Sequence, residues 1–84
     1  MIDRADTETV LYRVAISAFT YYPGKEAEEP GYTVEEDLAW CLAPLAAHPA
    51  IVDELRTRIR LLITDPTADR RGFLATLAQL AGDH

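Results

Sequence analysis

The stretch Thr7–Tyr22, TETVLYRVAISAFTYY, decides how this chain folds, because the other segments must pack against whatever it forms. On a helix turning about 100° per residue, Asp6, Thr9, Arg13, Ser17 and Thr20 collect in one narrow polar arc. Val10, Leu11, Tyr12, Val14, Ala15, Ile16, Ala18 and Phe19 fill the rest. A surface helix carries an apolar stripe about 100° wide, and this one is far wider. Such a helix is either central in a bundle or turned in part toward a second copy of the chain.

A strand is the competing reading. Val, Ile, Tyr, Phe and Thr favour strands, and Tyr12, Val14, Ile16, Ala18 and Thr20 alternate. The opposite face then mixes Arg13 and Ser17 with Ala15 and Phe19, which spoils the alternation. A lone strand would also have to pair with its copy in another chain, since no other segment reads as one. The clean polar arc and the acids Asp6 and Glu8 in the first turn favour the helix.

Eighty-four residues make one helical domain with a single modest core. About half the residues are apolar, which excludes a disordered tail. No apolar run reaches the roughly 18 residues of a membrane span, and the acidic start does not read as a signal peptide. Cys41 is the only cysteine, so no intramolecular disulfide forms, in keeping with a reducing cytoplasm.

The net charge is −6. Residues 1–37 hold nine acids against three bases, and residues 38–84 five against five. The imbalance therefore lies in the first part, mostly in Glu26, Glu28, Glu29, Glu35, Glu36 and Asp37. Such a surface repels nucleic acid and anionic membrane. It is either a solvated edge or a face for a basic partner.

In chain order, Met1–Asp6 reads as a short frayed lead. Pro23-Gly24 stops the first helix, and Pro23–Gly31 reads as an exposed, mobile loop. Thr33-Val34-Glu35-Glu36 is a capping box that starts a second helix at Val34. Its stripe is Val34, Leu38, Cys41, Leu42 and Leu45, and Pro44 kinks or ends it. Trp40 falls off that stripe, so it either covers a neighbouring helix or is offered to a partner.

A third helix, from Pro49 or Ala50 to Ile63, buries Ile51, Val52, Leu55, Ile59, Leu62 and Ile63, with Glu54 and Arg58 as an i,i+4 pair on its outer side. Asp65 is expected to cap a fourth helix, with Pro66 in its first position. That helix turns Phe73, Leu74, Leu77, Leu80 and Ala81 inward. Gly72 should weaken it, and Arg70 and Arg71 near its positive end should be held by acids elsewhere.

The fold expected is an all-α four-helix bundle, its second helix interrupted at Pro44. Cys41 and His48 stand too far apart on a helix to share a metal ion, and zinc sites use close ligand pairs. Ser17 lacks a tight turn to expose it as a nucleophile. No catalytic, metal or cofactor site is expected, and no direct nucleic-acid or membrane contact.

What remains is a small acidic interaction protein, an adaptor or regulatory subunit. Its partner contacts would be Glu26, Glu28, Glu29, Glu35, Glu36, Asp37 and Trp40. The alternative is an acidic inhibitor that mimics nucleic acid and blocks a basic partner. Tyr12, Ile16 and Phe19, on the far side of the first helix, are expected to mediate a homodimer.

Overall fold

The computed structural model describes residues 2–65 and 67–82, and of 80–82 the helical backbone alone. In order the elements are α1 (Arg4–Thr20), a single-turn α2 (Lys25–Glu28), α3 (Val34–Leu42), a 3-10 turn (Ala43–Leu45), α4 (Pro49–Thr64) and α5 (Arg70–Gly82). Among the described residues there is no strand, so the organising stretch is a helix and the fold is a small all-α bundle.

α1 starts earlier than its sequence suggests. The Asp3 carboxylate accepts from the Ala5 amide at 2.9 Å and caps the helix, and Ile2 is buried in the core. Residues 2–6 are therefore not a frayed lead; Met1 lies outside the described residues. α1 packs on α3, the 3-10 turn, α4 and α5, so its wide apolar arc belongs to a hub.

The buried line of α1 is Thr7, Val10, Val14 and Ser17, rotated into one edge of the expected polar arc. The Ser17 hydroxyl meets the Cys41 thiol at 3.6 Å, and the Thr7 hydroxyl donates to the Asp3 carbonyl at 3.4 Å. A small hydroxyl with a local acceptor enters a core at little cost, which a binary polar pattern misses. Among the described residues no buried side-chain polar atom lacks a partner.

The segment after α1 is fastened rather than loose. Gly24 takes φ 89°, a conformation glycine adopts without strain, and turns the chain into α2. The Lys25 ammonium donates to the Thr20 carbonyl at the end of α1 at 3.2 Å. It also lies 4.4 Å from the centroid of the Tyr32 ring. The Glu26 carboxylate accepts from the Val34 amide at 2.9 Å, so α2 ties to the start of α3.

α3 is capped by Thr33, whose hydroxyl accepts from the Glu36 amide at 3.2 Å. Among the described residues Glu36 does not return the bond, and Glu26 serves the first turn instead. Pro44 lies in the 3-10 turn that ends the helix.

α4 buries Leu55, Ile59, Leu62 and Ile63, while Ile51 and Val52 are half-buried. The Glu54–Arg58 pair does not form among the described residues; Arg58 instead donates to the Thr76 hydroxyl of α5 at 2.6 Å.

The start of α5 also departs from expectation. Asp65 closes a turn of its own, accepting from the amide and hydroxyl of Thr67 at 2.9 and 2.7 Å. The cap of α5 is Asp69, which accepts from the Gly72 amide at 2.9 Å. Gly72 thus sits at the third helical position, and a Cβ there would overlap the Asp69 carboxylate. Phe73 and Leu77 are buried, whereas Leu74 is 48% exposed and does not face inward. Pro66 and the side chains of Leu80 and Ala81 lie outside the described residues. Among the described residues Arg70 and Arg71 have no acidic partner.

Candidate interaction surface

The far side of α1 is left uncovered by the bundle. Tyr12 is 59%, Ile16 37% and Phe19 91% exposed. Large apolar groups so exposed and so close together are unusual for a surface with nothing to meet.

Trp40 adjoins this face. It stands on the outer side of α3, 41% exposed, and with Ala5, Thr9, Tyr12, Arg13 and Ile16 it lines a shallow depression between α1 and α3. The Arg13 guanidinium lies 5.0 Å from the Trp40 ring centroid and donates to the Trp40 carbonyl at 2.8 Å. One side of the ring therefore backs α1, the first of the two roles the sequence left open, and the other side meets solvent.

On the opposite flank of the exposed residues, α1 and α5 enclose a groove of about 500 Å³. Leu11, Ala15, Ala18, Phe73 and Leu74 line it, Phe19 stands at its side, and among the described residues Arg70 is its one cationic residue. The sequence reading missed this groove. Its signal was the pair Ala15 and Ala18, which are small enough to leave a trough beside α5.

The six clustered acids divide by what they already hold. Glu26 binds the Val34 amide, and Asp37 accepts from the Tyr32 hydroxyl at 2.9 Å. Glu29 lies 3.8 Å from the Lys25 ammonium, and Glu35 bridges Arg56, at 3.7 Å, and Arg60 of α4. Glu35, Glu36 and Asp37 are consecutive, so they point about 100° apart around α3 and share no face. Glu36 is exposed one turn before Trp40, on the same side of the helix. Glu28 is exposed on α2.

Burial, then the hydrogen bond to Asp37, pushes the Tyr32 phenol well above its ordinary value. Tyr22 is raised in the same sense by desolvation and by Glu28. Burial raises the Cys41 thiol, which outweighs the lowering by Ser17, so the thiol stays protonated and weakly nucleophilic. Among the described residues no group of three or more His, Cys, Asp or Glu is placed to hold a metal ion, and no helix is long and apolar enough to cross a membrane.

No family matches this chain, and no curated protein or solved structure matches it either.

Proposed function

We propose that this chain is a small interaction protein, an adaptor or regulatory subunit of the cytoplasm that works by surface contact and not by catalysis. The observation that carries the reading is the uncovered apolar side of α1, with Phe19 91% exposed beside Tyr12 and Ile16. Fully burying an exposed ring such as Phe19 contributes about 1.5–3 kcal/mol, the part-covered Tyr12 and Ile16 add less, and a second copy is the commonest way to bury them. The chain thus self-associates as a homodimer through Tyr12, Ile16 and Phe19. A protein partner is met on the neighbouring edge, where Trp40 and Glu36 stand together on α3. No cofactor, membrane or direct nucleic-acid contact enters this function.

The acidic-mimic alternative draws less support. A mimic needs carboxylates turned outward in a row, yet Glu26, Glu29, Glu35 and Asp37 are engaged within the chain.

Sedimentation of the pure protein at about 100 μM, where a dimer of micromolar affinity is populated, tests the self-association. A dimer that persists from about 0.05 to 0.5 M salt fits apolar docking, because salt screens charge and not apolar contact. A monomer at that concentration refutes it.

A further inference from the structure

The exposed side of α1 has an internal symmetry. Glu8, Tyr12, Ala15 and Phe19 are all exposed. On a helix they fall within an arc of about 60° and span about 16 Å, and their spacing is four, three, four. That is a short heptad-like seam of the kind two helices share side by side. The spacing reads the same from either end. An antiparallel two-fold midway between Tyr12 and Ala15 therefore lays the seam onto itself. Tyr12 falls on Ala15 of the second copy, and Glu8 falls on Phe19.

We propose that the chain pairs with a second copy in this antiparallel register, closed at each end by an ion pair between Glu8 of one copy and Arg70 of the other. This rests on the self-association proposed above and specifies its geometry. Two features argue for it. The first is size: the large ring of Tyr12 meets the smallest side chain of the seam, twice, and large against small lets two helices approach closely.

The second feature is charge. Arg70 borders the groove beside Phe19 and has no acidic partner among the described residues. Among the described residues Glu8 has only Arg4, at 3.5 Å and with side chains 68% and 90% exposed, a pair worth little in water. Antiparallel pairing brings each Glu8 to the end of the seam where the other copy holds Phe19 and Arg70. Parallel pairing instead sets Glu8 against Glu8, which is repulsive. The seam is three turns long, so the dimer is a weak one.

Charge reversal tests the register. In the full chain, Glu8→Arg and Arg70→Glu should each raise the dimer dissociation constant about tenfold, since each turns an attraction into a repulsion. Both side chains are exposed, so the fold should survive, which circular dichroism checks. The double variant E8R/R70E restores opposite charges and should return to within about threefold of the natural protein. A wild-type dimer that ignores the single reversals, or a double variant as weak as the singles, overturns the register and leaves self-association standing. A wild-type monomer at about 100 μM overturns both.

Discussion

Arg13 spans the junction of α1 and α3 by two contacts with Trp40: its guanidinium lies 5.0 Å from the ring centroid and donates to the backbone carbonyl at 2.8 Å. Both contacts are partly in water, so each is modest: a cation–π contact of about 0.5–1 kcal/mol and a hydrogen bond of about 1 kcal/mol. Arg13→Ala should therefore lower stability by about 1–2 kcal/mol in urea unfolding. The ring should also become easier to quench with acrylamide. Unchanged stability and quenching would show that the two residues merely lie side by side.

Asp69 and Gly72 should be energetically coupled. Alanine is the better helix former by about 1 kcal/mol, which alone makes Gly72→Ala stabilising. Its Cβ, however, would displace the Asp69 carboxylate from the cap, and losing a cap costs about 1 kcal/mol. In the natural background the two cancel. In an Asp69→Ala background the cap is already gone, so Gly72→Ala should stabilise by about 1 kcal/mol. Additive effects in the four-protein cycle would refute the coupling.

What was legible in the sequence was what short-range rules control. The Thr33 cap, the stop at Pro44 and the stripe of α4 follow from residues within a turn or two of each other. Asp65 and Asp69 show where such rules fail: both are aspartates before a helical segment, and only the geometry of the close Gly72 amide tells which one caps. Lys25 fails for another reason. Its acceptor and its aromatic neighbour come from opposite ends of the loop, so nothing adjacent marks it as an anchor. Ser17 read as surface because it is polar, yet a single hydroxyl beside a thiol fits between two helices. The exposed side of α1 was legible because the apolar arc exceeded what its neighbours could cover. The groove beside it depends on the placement of α5, which no local pattern fixes.

The raised Tyr32 phenol makes a pH prediction. Its ordinary value is 10.0, and burial and Asp37 lift it in the folded protein. In alkali the unfolded chain loses this proton first, so the folded state binds more protons and stability falls with rising pH. The contribution is complete below pH 10 and is lost progressively above it. Tyr32→Phe should flatten that part of the alkaline decline, read from urea midpoints between pH 9 and 12. An equally steep decline in the variant would place the sensitivity elsewhere, with Tyr22, also raised, the next group to test.

The exposed residues of α1 should separate association from folding. The bundle core is made by residues such as Leu38, Leu55 and Ile59, which are fully buried, and Leu38→Ala should cost about 2–5 kcal/mol. Phe19 contributes almost nothing to that core, being 91% exposed, and Ile16 only part of its side chain. Charged substitutions at both positions, Ile16→Glu and Phe19→Glu, should therefore leave helical content unchanged. They should cost the isolated chain no more than about 1 kcal/mol, the scale of surface substitutions. Association responds differently. Phe19→Glu removes the largest apolar group of the seam and sets a carboxylate against Glu8 of the second copy, Ile16→Glu places another at the seam's edge, and a two-fold interface meets every substitution twice. The expected result is a folded monomer by sedimentation at about 100 μM, with circular dichroism matching the natural protein. A folded dimer would mean that the interface lies elsewhere. Loss of helical signal at high dilution in both proteins would instead tie folding to pairing, because the hub helix would then need the second copy to complete its packing.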